Sequence, residues 1–232
     1  MGAETATAEA FSQELAALKR QGCNVLVVND PSGSDAACER LLGGSDLDRR
    51  HVFVPTTTSV SHVLDRHEPR RTDPAYFGVV DASTATRGAA QAAPSPGSAA
   101  QVDAGSTWYS RADELGDADD LYQQIDEHLT RVSEDAESPS EVRLCIDSLD
   151  PLFDAMSEET LFHFLHAVTS RVRQERGLGH CHIAAGVDPE AIAVIEPLFD
   201  ATIHVETTDD GTVKQRWQLH ESEQVTDWFV LE

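Results

Sequence analysis

Short apolar runs separated by polar, glycine-rich breaks organise this chain. Asn24-Val25-Leu26-Val27-Val28 is continuous rather than alternating, the pattern of a strand covered on both faces, as in parallel sheets. His51 to Val54, Tyr76 to Asp81, Glu141 to Asp147, His180 to Ala185 and Ala201 to Glu206 read as further strands. Between them the period turns helical. Ala8 to Arg20 carries Phe11, Leu15, Ala16 and Leu18 on one stripe and stops at Gly22. Asp35 to Leu42, closed by Gly43-Gly44, and Val60 to Arg66 are predicted short helices, and Asp117 to Val132 a polar one. A long helix is predicted from Ser157 to Gly177, with Leu161, Phe164, Leu165, Val168 and Val172 on one face. Ser157 begins it, and Glu158 and Glu159 fill its first turn, where carboxylates favour the helix dipole. Pro189 to Leu198 is one more helix. Asp209-Asp210-Gly211 then reads as a hairpin turn into Val213 to His220, and Asp227 to Leu231 closes the pattern.

Strand–helix alternation with this ending predicts an α/β fold: an open, mostly parallel sheet with helices on both faces and a C-terminal antiparallel hairpin. One domain over residues 1–232 is the expectation. Ala82 to Ser106 is rich in Ala, Gly, Ser, Pro and Gln without an apolar period, and reads as a long loop.

Charge changes the picture. Acidic residues number 41 against 17 basic ones, a net charge of -24, and Lys19 and Lys214 are the only lysines. This style resembles proteins of extreme halophiles. Molar salt shortens the Debye length to about 3 Å, which screens a dense carboxylate surface. Nucleic-acid binding is not expected, because the basic groups Arg49-Arg50, Arg70-Arg71 and Arg171, Arg173, Arg176 are sparse, the last three reading as a solvated helix face. Met1 to Ala10 has no basic start or apolar stretch, and no 18-residue apolar run exists, so neither secretion nor membrane insertion is expected, and the cytoplasm is.

Candidate chemistry belongs beyond the carboxyl ends of the strands. A phosphate-binding loop there reads G-x-x-x-x-G-K-[ST]. Val28-Asn29-Asp30-Pro31-Ser32-Gly33-Ser34-Asp35-Ala36 has the place and the length, but Asp35 stands where the lysine belongs and Ala36 where the hydroxyl belongs. At about 4 Å and an effective dielectric near 20, a reversed charge contact is worth roughly 4 kcal/mol before solvation. Leu144-Cys145-Ile146-Asp147-Ser148-Leu149 is an apolar strand ending in an acid, the form of a magnesium-associated Walker B segment and equally of a strand-end turn.

Ile146-Asp147-Ser148-Leu149, the long helix after it, the strand His180 to Ala185 and Leu198-Phe199-Asp200-Ala201-Thr202-Ile203 together resemble the RecA/KaiC-type ATPases, the group that includes KaiC and GvpD. The resemblance spans most of Asn24 to Glu232. It implies a RecA-like fold, ATP and magnesium binding, and oligomer formation. The chain departs from that pattern at Asp35 and Ala36, and in Val54-Pro55-Thr56-Thr57-Thr58-Ser59, where these ATPases commonly carry a catalytic glutamate. The expectation is therefore a degenerate relative of the kind carried by halophilic archaea, with a vestigial nucleotide site at Gly33, Ser34 and Asp147, no catalytic residues and no cofactor. It would act in regulation through a protein partner or self-association. The alternative is a nucleotide-binding enzyme with a rebuilt phosphate site, in which Asp147 holds magnesium. A third reading is an ATPase subunit supplying an arginine in trans, from Arg143, Arg173 or Arg216.

Other constellations are weaker. Cys23, Cys38, Cys145 and Cys181 form no CxxC pair and read as buried thiols, with neither disulfide nor metal expected. His163 and His166, three apart on the long helix, could face a metal but have no acid beside them. His180-Cys181-His182 alternates as core and edge positions of a strand. Asp81-Ala82-Ser83 is a second acid near the site or a turn former, and no G-x-S-x-G elbow is present.

Overall fold

The computed structural model describes residues 2–30, 34–43, 48–66, 73–83 and 106–231. Its elements in chain order are α1 (Gly2–Gln21), β1 (Cys23–Asn29), α2 (Ser34–Leu42), β2 (Arg50–Val54), α3 (Val60–Arg66), β3 (Phe77–Asp81) and β4 (Tyr109–Arg111). There follow α4 (Ala118–Ser133), β5 (Val142–Ile146), α5 (Asp150–Ala155), α6 (Glu158–Gln174), β6 (Leu178–Ala184) and α7 (Pro189–Ile195). A 3-10 turn (Glu196–Leu198), β7 (Ala201–Thr207), β8 (Val213–Leu219) and β9 (Phe229–Val230) complete it. The strands form one nine-stranded sheet in the order β4-β3-β2-β5-β6-β1-β7-β8-β9. Pairing is parallel from β4 through β7 and antiparallel for β7 with β8 and β8 with β9. The expected mixed α/β sheet and its closing hairpin are present.

All seven residues of β1 are buried, as its unbroken apolar run requires of a strand covered on both faces. Period-two alternation divides the strands between two apolar layers. Leu26, Val52, Val54, Leu144, Ile146 and Ile183 face the layer built by α4, α5, α6 and α7. On the opposite face Val25 and Val27 meet α1 and α2, while Phe53, Phe77 and Cys145 meet α2 and α3. Each fully buried leucine of this kind contributes about 1.5–3 kcal/mol of transfer free energy.

Local signals explain the ends of the elements. Ser157 accepts the Thr160 amide at 3.1 Å, and the five apolar residues of the stripe that follows are all buried on α6. Gly22 and Gly211 have φ of +91° and +82°, which lets the chain reverse after α1 and between β7 and β8. Three readings need correction. Among the described residues β4 and α5 are additional elements, both too short to show a period. The helix over Ala118–Ser133 is not polar throughout, since Leu121, Ile125, Leu129 and Val132 are buried against the sheet. Arg171 is not a solvated-face residue: it pairs with Asp126 on α4 and Glu175 on α6, tying the two helices together. Residues 84–105, most of the expected long loop, lie outside the described residues.

Candidate functional site

Sheet order decides where a site can form. The chain leaves β2 toward β3 on one side, and leaves β5 toward β6 on the other, although β2 and β5 are neighbours. Helices and loops diverge at such a switch point and leave a crevice beyond the carboxyl ends of the strands. A cavity of about 590 Å³ lies there, lined among others by Asn29, Phe53, Thr58, Arg66, Asp147 and His182.

Asp147 follows β5 directly, and the loop Pro55–Ser59 follows β2, so their adjacency is a consequence of the register Val54↔Ile146. The Asp147 carboxylate is fully engaged. Its Oδ1 accepts the amide and, at 2.7 Å, the hydroxyl of Thr56; its Oδ2 accepts the Thr57 hydroxyl at 2.9 Å and the Thr58 amide at 2.8 Å. The Thr57 amide reaches Oδ2 at 3.2 Å. A carboxylate has about four lone-pair sites, and here those sites are used within the protein. The Thr56-Thr57-Thr58 run, which lacks the glutamate expected of an ATPase, supplies the donors.

The phosphate-loop candidate divides. Gly33 lies outside the described residues, and Ser34 opens α2. Asp35, in the lysine position, receives Arg66 Nη1 on Oδ1 at 2.7 Å, while Arg66 Nη2 donates to its carbonyl at 2.8 Å. His62 Nε2 stands 3.6 Å from the same carboxylate. Arg66, the one guanidinium lining the cavity among the described residues, is thus paired with the residue that stands in the lysine position. Among the described residues, the acid that would hold a magnesium ion is occupied by the Thr56–Thr58 donors, and the arginine that could meet a phosphate is paired with Asp35.

The remaining candidates separate from this crevice. Asp81 accepts the Ser83 amide and hydroxyl at 3.1 and 2.7 Å, a local turn, and Tyr109 at 3.1 Å. Burial and the Asp81 charge push the Tyr109 phenol up to about 12. Arg173 pairs with Asp200 at 3.1 Å just before β7, and Arg216 lies over Trp228 at 5.1 Å. Arg143, near the start of β5, is buried beside Lys19 and Arg49, and desolvation lowers it to about 10. None of these three lines the cavity. The expectation of no acid beside the helix histidines needs correction: His163 is exposed with Glu159 4.0 Å away, one turn earlier on the same face, and His166 is exposed as well.

Sequence reasoning missed one cluster. Cys38, Cys145, His180 and His182 are 7%, 3%, 0% and 2% exposed, their ligating atoms all lie within 4.8 Å of one another, and all but His180 line the cavity. The two histidines are therefore both interior, because β6 is a central strand flanked by β5 and β1. The Cys38 and Cys145 sulfurs are 3.5 Å apart, and His180 Nε2 is 3.4 Å from Cys38 Sγ. The Cys145 hydrogen bond holds Cys38 well below the ordinary thiol range and raises Cys145 in turn. Burial lowers His180. His182 Nδ1 meets Asn29 Oδ1 at 3.0 Å. Cys23 and Cys181 lie apart, pushed up to about 12 by burial. The available signal was His180-x-His182 beside Cys145 in the next strand of a parallel sheet.

No curated protein matches this chain in sequence. A family profile does match residues 22–205, from the first strand through most of β7, and the chain accordingly belongs to DUF7504, a family of unknown function.

Proposed function

We propose that this protein is a non-catalytic, ATPase-derived α/β domain of RecA/KaiC-like ancestry that works through protein interaction in regulation, in the cytoplasm of a salt-adapted cell. The observation that carries the reading is the state of Asp147: both carboxylate oxygens are committed to Thr56, Thr57 and Thr58. Pairing of Asp35 with Arg66 supports it from the phosphate side. The interaction part draws support from the outer sheet edge, where Trp228, Phe229 and Val230 are 39%, 41% and 49% exposed on and beside β9. Apolar side chains gathered at a strand edge favour pairing with another chain.

The test is thermal melting in about 3 M KCl, where charge screening is nearly complete, with and without magnesium-ATP, alongside a phosphate-release assay. A ligand at 100 times its dissociation constant adds roughly 2.7 kcal/mol of stability. The expected result is no shift and no hydrolysis at millimolar ATP. A clear shift that Asp147→Ala abolishes would overturn the reading in favour of a nucleotide-binding enzyme.

A further inference from the structure

We infer that Cys38, Cys145, His180 and His182 form a closed, tetrahedral zinc site that pins α2 to β5 and β6 beneath the cavity. This goes beyond the regulatory reading and does not depend on it, since none of the four residues carries that argument.

The spacing fits the metal. With Zn–S near 2.3 Å and Zn–N near 2.05 Å, tetrahedral angles place two sulfurs about 3.8 Å apart and a sulfur and nitrogen about 3.6 Å apart. The sulfurs of Cys38 and Cys145 are 3.5 Å apart, and Cys38 Sγ and His180 Nε2 are 3.4 Å apart. The other ligating atoms lie within 4.8 Å of one another, so side-chain shifts of about 1 Å would bring all four to bonding distance. The placement follows from the sheet: Cys145 and His180 are register partners on adjacent parallel strands, and His182 lies two residues further along the same face. Cys38 descends onto that face from α2, in the apolar layer that holds Cys145.

Charge and coordination chemistry agree. Two thiolates and two neutral imidazoles around a divalent ion make an uncharged unit, which can be buried where a bare ion cannot. Binding releases the two thiol protons to solvent as the two Zn–S bonds form. Tetrahedral S₂N₂ coordination selects zinc over the hard, oxygen-seeking cations that surface carboxylates attract. Four protein ligands leave no open position, so the site is structural. Asn29 completes it as a positioning residue: accepting the His182 Nδ1 proton would fix the tautomer that offers Nε2 to the ion. The His180 Nδ1 has no hydrogen-bond partner among the described residues, so the polar contact of that ring runs toward the thiols.

The experiment uses the full chain, reduced, stripped with chelator and kept anaerobic, then titrated with Co²⁺ and competed with Zn²⁺. The expected result is a thiolate-to-cobalt charge-transfer band with intense tetrahedral d–d bands, saturating near about one equivalent and bleached by zinc. Melting temperature should rise with zinc and fall with chelator. Asn29→Ala should weaken cobalt affinity roughly 10–100-fold while keeping the same spectrum. Cys38→Ser and Cys145→Ser should each reduce the charge-transfer band, with circular dichroism confirming the fold. A folded chain giving only the pale spectrum of oxygen-bound cobalt overturns the inference. So does recovery of a Cys38–Cys145 disulfide from the anaerobic protein.

Discussion

Thr58 donates its backbone amide to Asp147 at 2.8 Å and so closes the loop after β2 onto the strand end of β5. In this protein the strand-end acid is a staple between two loops. Asp147→Ala leaves the amides of Thr56, Thr57 and Thr58 without their acceptor, and Thr56 is fully buried. The expected loss is about 1–3 kcal/mol, the cost of orphaning buried donors, read as a lower urea midpoint with the m-value unchanged. An unchanged midpoint would mean that the loop holds itself and that Asp147 is free for other work.

His128 supplies a pH dependence. It is buried on α4 between Ser110, 3.0 Å from Nε2, and Arg131, whose guanidinium donates to Nδ1. Burial first, and the Arg131 charge second, lower its pKa from 6.5 to about 4. The folded state therefore keeps the ring neutral where the unfolded chain would protonate it. Stability is full above about pH 6.5 and drains as pH falls toward 4, by up to roughly 3 kcal/mol. Gly78 passes so close that an added Cβ would stand 2.8 Å from His128 Nδ1. Denaturation of the wild type and of His128→Leu between pH 7 and 4 provides the check. A wild-type curve no steeper than that of the variant would remove His128 from the account.

Much of this fold was legible in the sequence, because long elements announce their own periods. The stripe Leu161, Phe164, Leu165, Val168, Val172 could hardly form anything but a helix on a buried face, and β1 could hardly be an edge strand. The paired state of Asp35 was not legible: its partner Arg66 is 31 residues away on another helix. The same holds for Asp147, whose donors are about 90 residues upstream and depend on β2 and β5 being neighbours. Cys38 and Cys145 are 107 residues apart, so only the packing of α2 on the sheet unites them. Local patterns foretell elements. Contacts between elements wait for the order of the strands.

Among the described residues Arg50 and Glu141 form the most buried ion pair, Nε to Oε1 at 2.7 Å with side chains 6% and 10% exposed. Both ends are further satisfied: Arg50 donates to the Ala75 and Asp135 carbonyls and lies 4.5 Å over the Tyr76 ring, while Glu141 accepts the amides of Glu137 and Ser138. Burial pushes the Glu141 carboxyl up, but Arg50 and the two amides outweigh it and hold the group below its ordinary range. Its contribution is present above the unfolded carboxyl value and is lost as pH falls through the lower folded one. Removing one partner leaves the other charge buried, so Glu141→Leu should cost about 3–5 kcal/mol, and Arg50→Met about the same. The double variant should cost much less than the sum. Additivity of the two single losses, measured in a double-mutant cycle, would show that the residues act separately.

The net charge of -24 sets the last expectation. With 41 acids against 17 bases, the folded chain concentrates more like charge than the unfolded one, and repulsion favours expansion. Raising KCl from about 0.1 M to about 1 M shortens the Debye length from about 10 Å to about 3 Å. The melting temperature should therefore climb steeply over that range and flatten above it. Salt also strengthens apolar burial, so the control is a neutral osmolyte such as sucrose, which favours burial without screening. A climb in KCl that sucrose does not reproduce assigns the effect to charge. An equal climb in both would assign it to the core, and the acidic surface would then confer no dependence on salt.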